Sequence, residues 1–150
     1  MLGRGWVRSF AVCVVAGVAF APSVLARNDF IDLPANSAKE SSLAKERLLA
    51  VPFYMAGEAH PKVTKELGEF RSNKRSNAFG KSDEEACQVA FLSAIISLQE
   101  RAQKEGGNAV IDIKSITKNN DLSSATDYRC VAGAFVANVA LTGKIAQIAK

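Results

Sequence analysis

The fold of this protein is decided by residues 82–107, which read SDEEACQVAFLSAIISLQERAQKEGG. Ser82 and Glu85 have the spacing of a capping box, and acidic residues occupy the first turn, where they favour the positive end of a helix. Gly106 and Gly107 end the pattern because glycine adopts the left-handed conformation that closes a helix. Between these ends, apolar residues recur every three or four positions, at Cys87, Phe91, Ala94, Ile95, Leu98 and Ala102. This period predicts a long, deeply packed α-helix.

The segments before this helix predict one shorter helix and two strands. Asn36 or Ser37 is a suitable N-cap for a helix that continues through about Ala50, where Pro52 stops it. Aromatic and β-branched residues in 51–55 favour a short strand. Residues 63–71 (VTKELGEFR) predict a second strand with Gly68 at a bulge or bend, although Pro61 is also suited to start a helix.

The segments after the helix predict two further strands. Residues 109–117 read AVIDIKSIT, and strict alternation places Ile111 and Ile113 on one face. Residues 128–141 are long and almost uncharged, and they predict one strand in which Phe135 alternates with other apolar residues. The order of elements predicts an α+β fold with a small sheet of about four mostly antiparallel strands, packed against one long helix, with an extra N-terminal helix.

Residues 1–26 have the features of a signal peptide. Arg4 and Arg8 precede an apolar run over 10–20, and Ala26 ends a segment of the kind that signal peptidase cleaves. The run is too short to cross ~30 Å of hydrocarbon, so a membrane anchor is the weaker interpretation. Cys13 follows Val12 rather than a small residue, which argues against lipidation. The sequence therefore predicts export to the periplasm or beyond, with cleavage after Ala26.

The mature chain is predicted to be soluble, with a flexible lead-in over 27–36 and a single α+β domain over 37–150. The formal net charge is +4, and it falls to +2 once Arg4 and Arg8 are removed with the signal peptide. So small a charge gives no support to a nucleic-acid partner. With 48% apolar and 23% charged residues, the composition excludes a disordered tail and a multi-span membrane protein.

Two cysteines, Cys87 and Cys130, remain after removal of the signal peptide. An even number in an exported chain favours a disulfide, which would close a loop of about 43 residues and stabilise the fold by about 4 kcal/mol. The alternative is a redox or metal pair. Neither cysteine lies in a CxxC motif, and His60, the sole histidine, is far from both in sequence. A structural disulfide is therefore the prediction.

The candidate binding residues are four cations near the start of the long helix. Arg71, Lys74, Arg75 and Lys81 lie in a polar stretch flanked by Phe70 and Phe79, and they form a candidate surface for an anionic polymer or a partner. The alternative is an ordinary solvated loop.

Two other motifs resemble parts of chemical sites. Gly80, Lys81 and Ser82 resemble the end of a phosphate-binding loop, but Arg75 stands where the first glycine of that motif belongs, so a turn and a helix cap explain them. His60 and Glu58 form no recognisable acid–base or metal set. We therefore predict no catalytic residue, no metal site and no cofactor.

Several of these segments carry a family resemblance. The pieces NKRSNAFGKSDEEAC and GGNAV, together with TDYRCVAGAFVANVALTG, resemble a family of small exported proteobacterial proteins commonly labelled "excinuclease ATPase subunit". The chain has neither a complete Walker motif nor zinc-finger cysteines, so the resemblance implies no ATPase activity. More distantly, the pattern is similar to Rcs-type envelope-stress sensor domains and to a small oligomeric family named heavy-metal-binding. These similarities imply a compact α+β fold.

Together these observations predict a periplasmic, non-enzymatic binding or accessory module, similar in kind to an envelope-stress sensor. It would contact a protein partner or an anionic envelope polymer through the 70–81 loop or an exposed sheet edge. Two alternatives stay open. One is a thiol-redox protein or hydrolase, and the other is a structural protein that self-assembles through 128–141.

Overall fold

The computed structural model describes residues 27–150, so the predicted signal peptide lies outside the described residues. Within this range, no helix has the length and apolar character needed to cross a membrane. The elements are β1 (Asp29–Pro34), α1 (Ala35–Glu40), α2 (Ser42–Arg47), β2 (Phe53–Met55), β3 (Val63–Asn77), α3 (Asp83–Glu105), β4 (Ala109–Ser115), a 3₁₀ turn (Thr117–Asn119), β5 (Asp127–Ala132) and β6 (Val136–Ile148).

Helix α3 confirms the prediction made from residues 82–107. The Glu85 N–H donates to Ser82 Oγ at 3.1 Å, which caps the helix, and Gly106 closes it with a left-handed φ of 78°. Phe91 is fully buried and stacks on Tyr128 at a centroid distance of 4.0 Å, while the ring of Phe53 meets it edge-on. Burial holds the pKa of the Tyr128 hydroxyl well above its ordinary value.

The sheet is organised around β6. One side of β6 pairs antiparallel with β3 from Asn77↔Val136 to Val63↔Ile148. Its other side pairs with the end of β5 and then with β4. At the ends of the sheet, β1 pairs antiparallel with β5 and β2 pairs parallel with β4. The predicted α+β class is therefore confirmed, but the sheet has six strands rather than about four.

One of the additional strands comes from the predicted lead-in. Asp29–Pro34 is not a flexible segment, because it pairs with β5 residue by residue. The Ala35 N–H continues this attachment by donating to the Thr126 carbonyl at 2.8 Å. The polar residues of 27–36 gave no strand signal because β1 is an edge strand with mostly exposed side chains.

The other additional strand arises because 128–141 is a hairpin and not a single strand. The Gly133 N–H donates to the Val136 carbonyl at 3.0 Å and closes the turn between β5 and β6. A Cβ on Gly133 would lie only 3.0 Å from that carbonyl oxygen, so a side chain there would crowd the turn. Phe135 is consequently exposed at the turn instead of alternating with core residues.

The predicted N-terminal helix is broken into α1 and α2. Ser41 has extended backbone geometry (ψ 155°), and its hydroxyl accepts the Ala44 N–H to begin α2. Helix α2 ends at Arg47, earlier than expected, because the following backbone bonds to buried Gln99 instead. The Gln99 amide accepts the Leu49 N–H at 3.0 Å and donates to two carbonyl oxygens of the same segment.

The prediction that Ile111 and Ile113 share one face of their strand is wrong, because β4 contains a β-bulge. The register with β6 shifts between Ile111 and Lys114, and Asp112 at the bulge has a φ of 51°. The extra residue places Ile113 in the core under α3, whereas Ile111 joins a small apolar cluster on the opposite face.

The core lies between α3 and one face of the sheet, and α1 and α2 contribute buried alanines to it. Cys87 of α3 and Cys130 of β5 form a disulfide with a Cα–Cα distance of 5.9 Å, and both residues are completely buried. The predicted cysteine pairing is confirmed, and it joins helix to sheet across the core.

Candidate functional site

The predicted basic residues do not lie in a loop. Arg71, Lys74 and Arg75 belong to β3, which continues past the predicted end of the strand to Asn77 and pairs with β6 throughout. Only Lys81 lies in a turn, where its N–H donates to the Ala78 carbonyl at 3.2 Å. The loop interpretation of 70–81 is therefore wrong for most of its length.

Strand alternation separates these cations. Lys74 shares a face with Ser72 and Ser76, which are buried towards α3, and the Ser76 hydroxyl donates to the Ala86 carbonyl of that helix. Arg71 and Arg75 alternate with this row, in register with Thr142 and Asn138 of β6. Arg71 lines a cleft on the opposite face of the sheet, whereas Arg75 lines the same groove beside α3 as Lys74. The four residues thus do not make one cluster: three of them belong to β3, and of these Lys74 and Arg75 line a common groove.

Strand β3 forms a long edge of the sheet. It pairs with β6 on one side, and no strand among residues 27–150 pairs with its other side. At 15 residues it is much longer than the other edge strands, β1 with 6 residues and β2 with 3. An edge of this kind presents unpaired N–H and C=O groups to any chain that approaches it.

A groove of about 320 Å³ lies beside β3 where α3 runs along the edge. Its lining contains three cations, one carboxylate, two hydroxyls and one half-buried apolar side chain. The lining residues are Arg47, Lys74, Arg75, Ser93, Ile96, Ser97 and Glu100. The excess of positive charge makes this β3–α3 groove suited to an acidic ligand.

One buried polar atom on β3 has no partner of its own. Ser72 is 5% exposed, and its hydroxyl makes no hydrogen bond to any group that the structure describes. Ser72 lies two residues before Lys74 in the row that faces α3. Buried hydroxyls are normally satisfied, so this atom marks spare hydrogen-bonding capacity on the α3-facing side of β3.

A second cleft, of about 360 Å³, lies on the opposite face of the sheet and contains Arg71. Its charges are balanced, since Glu69 and Asp121 offset Arg71 and Lys114. Glu69 also accepts a hydrogen bond from the Thr142 hydroxyl at 2.6 Å. This cleft therefore offers an acidic ligand less net attraction than the β3–α3 groove.

An exposed aromatic pair lies at the end of the sheet where β3 finishes. Phe79 and Phe135 are 69% and 66% exposed, and their rings stack in parallel with centroids 5.9 Å apart. The Ala78 N–H donates to the Phe135 carbonyl at 2.9 Å, which holds the two turns together. Sequence reasoning singled out Phe79 but assigned Phe135 to the interior, because the hairpin was not recognised.

The other chemical candidates have separate partners. Glu58 binds Lys39 at 3.0 Å and the Met55 N–H at 2.7 Å, whereas the ring of His60 lies against Tyr54. Asp112 lies between two lysines of the sheet. Across the described residues, no group of three or more metal-ligating side chains comes together.

The Gly80-Lys81-Ser82 segment is a turn followed by the cap of α3. Gly80 has a left-handed φ of 71°, and Ser82 is the N-cap of the helix. Comparison with protein-family models and with curated proteins finds no match to this chain.

Proposed function

We propose that this protein is an exported, non-catalytic accessory module that binds an acidic partner in the cell envelope through the β3–α3 groove. The observation that carries the proposal is the convergence of Arg47, Lys74 and Arg75 in a groove that contains a single carboxylate, Glu100. The Cys87–Cys130 disulfide supports export, since such bonds persist in oxidising compartments.

The charge of the groove predicts how binding depends on salt. Surface charges attract an acidic partner over about 10 Å at 0.1 M ionic strength, and added salt shortens that range. Binding should therefore weaken as salt rises. A partner held mainly by apolar contacts would show little such dependence.

The thiol-redox alternative has less support than binding. Redox catalysis requires a thiol that its partner can reach, and both Cys87 and Cys130 are fully buried. Titration of native protein with a thiol reagent tests this directly. We expect no reactive thiol in the folded state, whereas a rapidly reacting cysteine would favour the redox alternative.

The proposal is tested by charge reversal near the two ends of β3. Lys74→Glu with Arg75→Glu reverses the net charge of the groove from positive to negative and leaves Arg47 as the one cation in its lining. Lys62→Glu, one residue before β3, with Lys65→Glu near its start makes the same change in net charge away from the groove and serves as the matched control. Material captured from periplasmic extract should be lost from the first variant and retained by the control, while both keep the wild-type melting temperature. Equal capture by both variants would contradict the proposal.

A second candidate function is self-assembly through the exposed aromatic pair. Phe79, Phe135 and the adjoining Val136 form an exposed apolar surface of the kind that marks interfaces. Light scattering of the wild type and of the variant with Phe79→Ser and Phe135→Ser tests this. Phe30→Ser, at an exposed position on β1, is the control. A concentration-dependent oligomer that only the double variant abolishes would establish assembly, and a monomer throughout would exclude it.

A further inference from the structure

We infer that the partner contributes an extended acidic segment, which pairs as a seventh strand with the free edge of β3 along residues 71–77. The inference rests on the proposed function, and it specifies how the groove is filled. It makes the β3 backbone the principal binding element and the cations the source of selectivity.

The backbone of residues 71–77 has the regular strand geometry that the addition of another strand requires. From Arg71↔Thr142 to Asn77↔Val136 the register with β6 has no shift. The irregularities of β3 lie earlier, between Val63 and Lys65 and between Glu66 and Gly68. Bulges discourage the pairing of another strand with a sheet edge. The first half of β3 is therefore a poor site for strand addition, whereas the second half is regular. Seven regular residues offer an edge of roughly 23 Å.

The surroundings of this edge specify the chemistry of the added strand. A strand placed about 4.8 Å beyond β3 would lie over the β3–α3 groove. Its side chains directed towards α3 would meet Ile96 and the Ser93 and Ser97 hydroxyls, which line the groove together with Lys74. Its opposite side chains would lie on the face that Arg71 occupies, and Arg75 adds a further positive charge to the groove itself. Acidic residues alternating with small apolar ones therefore complement both faces.

Charge argues against a second copy of this chain as the occupant. Residues 71–77 (RSNKRSN) contain three cations and no acidic residue. Antiparallel pairing of this segment with itself, centred on Lys74, would place the two Lys74 side chains directly opposite each other. Like charges in that position destabilise a sheet. Edge cations commonly prevent such self-pairing, and the same cations attract an acidic strand.

A polysaccharide is also a poorer occupant than a polypeptide. An acidic sugar polymer could neutralise Lys74 and Arg75, but it carries no alternating N–H and C=O groups with which to satisfy a strand edge. The two occupants therefore differ in a measurable way, because only a polypeptide protects the outward amide protons of 71–77 from exchange.

The experiment uses the full protein and an eight-residue probe peptide that alternates Glu and Val. Two matched probes accompany it: the same peptide N-methylated at alternate residues, and a Lys–Val peptide. Binding is measured by amide NMR shifts and by hydrogen exchange. We expect shifts and protection concentrated in 71–77, and at least tenfold weaker binding for the N-methylated peptide, for the Lys–Val peptide and for the variant with Lys74→Glu and Arg75→Glu.

The outcomes separate this inference from the proposed function. Equal binding of the methylated and unmethylated peptides, with charge dependence retained, would overturn strand addition and leave an acidic-partner groove. If the variant with Lys74→Glu and Arg75→Glu binds the peptide as tightly as the wild type does, or if no peptide binds, strand addition would be overturned and the proposed function weakened too. Line broadening of 71–77 that grows with protein concentration, without peptide, would assign the edge to a second copy and overturn the inference.

Discussion

Strands β3 and β6 pair with each other along nearly their whole lengths, yet they have opposite characters. Almost every residue of β6 is buried, because α3 covers one face and strands flank it on both sides. Most residues of β3 are exposed, because beyond it the described chain places no further strand. The same backbone ladder thus supports a structural strand and a surface strand. The position in the sheet, rather than the pairing, decides which strand is free for binding.

The largest expected effect comes from removing the disulfide that attaches the β5–β6 hairpin to α3. Strand β5, which forms the hairpin with β6, is tied to α3 by Cys87–Cys130, whereas β3 has no such bond. Replacing both cysteines by Ala should lower the free energy of unfolding by about 4 kcal/mol, since the bond closes a loop of 43 residues. Urea denaturation measures the loss.

The control for this experiment is reduction of the wild-type disulfide. The reduced wild type and the double variant should have similar unfolding midpoints, because both lose the same covalent restraint. A double variant as stable as the oxidised wild type would show that packing alone holds α3 against β5.

A smaller effect on the free energy of unfolding is expected at two residues that lie opposite each other on β6 and β3. Leu141 of β6 is fully buried and pairs in register with Ser72 of β3. Leu141→Ala should cost about 3 kcal/mol, since it leaves a cavity under α3. Ser72→Ala should leave stability unchanged or raise it by up to about 1 kcal/mol, because it removes a buried hydroxyl that has no partner among residues 27–150. Thermal or urea unfolding compares the two.

Ser76→Ala provides the matched control on β3. The Ser76 hydroxyl is bonded to the Ala86 carbonyl, so its removal should cost about 1 kcal/mol. If Ser72→Ala is as costly as Ser76→Ala, the Ser72 hydroxyl has a partner and the contrast between the two serines fails.

The same contrast between strands explains what could be predicted from the sequence. Helix α3 and its caps were predictable because the signals from Ser82 to Gly106 are local, and the cysteine pairing followed from the count. The length of β3 was not predictable beyond residue 71, because an edge strand exposed to solvent has no apolar alternation. The β5–β6 hairpin was missed for the opposite reason, since burial made its residues a continuous apolar run that hides the turn.

The candidate site was predicted in part for a related reason. Charge density alone identified Lys74 and Arg75, although as loop residues. Arg47, Ser93 and Ile96 reach the same groove only because α2 packs against α3 and α3 packs beside β3. Those contacts join residues far apart in the chain, and no local pattern encodes them. The local sequence does not indicate the bulge at Asp112 either, because the register shift arises from pairing with β6, which is distant in the chain.

The smallest expected effect concerns the opposite edge of the sheet, where β1 has a charged cross-strand pair. Arg129 of β5 donates two hydrogen bonds, of 2.7 and 2.8 Å, to the carboxylate of Asp32, which lies directly opposite it. These bonds hold the pKa of Asp32 below its ordinary value. A lowered folded-state pKa adds stability above about pH 4, and this stability is lost as pH falls through the lowered pKa.

Asp32→Asn should therefore flatten the decline of the melting temperature between about pH 5 and pH 2, while lowering the melting temperature slightly at neutral pH. In the Arg129→Gln background the same substitution should have no such effect, because the pair is already broken. Parallel pH profiles for the wild type and Asp32→Asn would show that the pair contributes nothing. In that case the backbone ladder with β5 and the packing of Ile31 and Leu33 against the core would hold β1 without help from the ion pair.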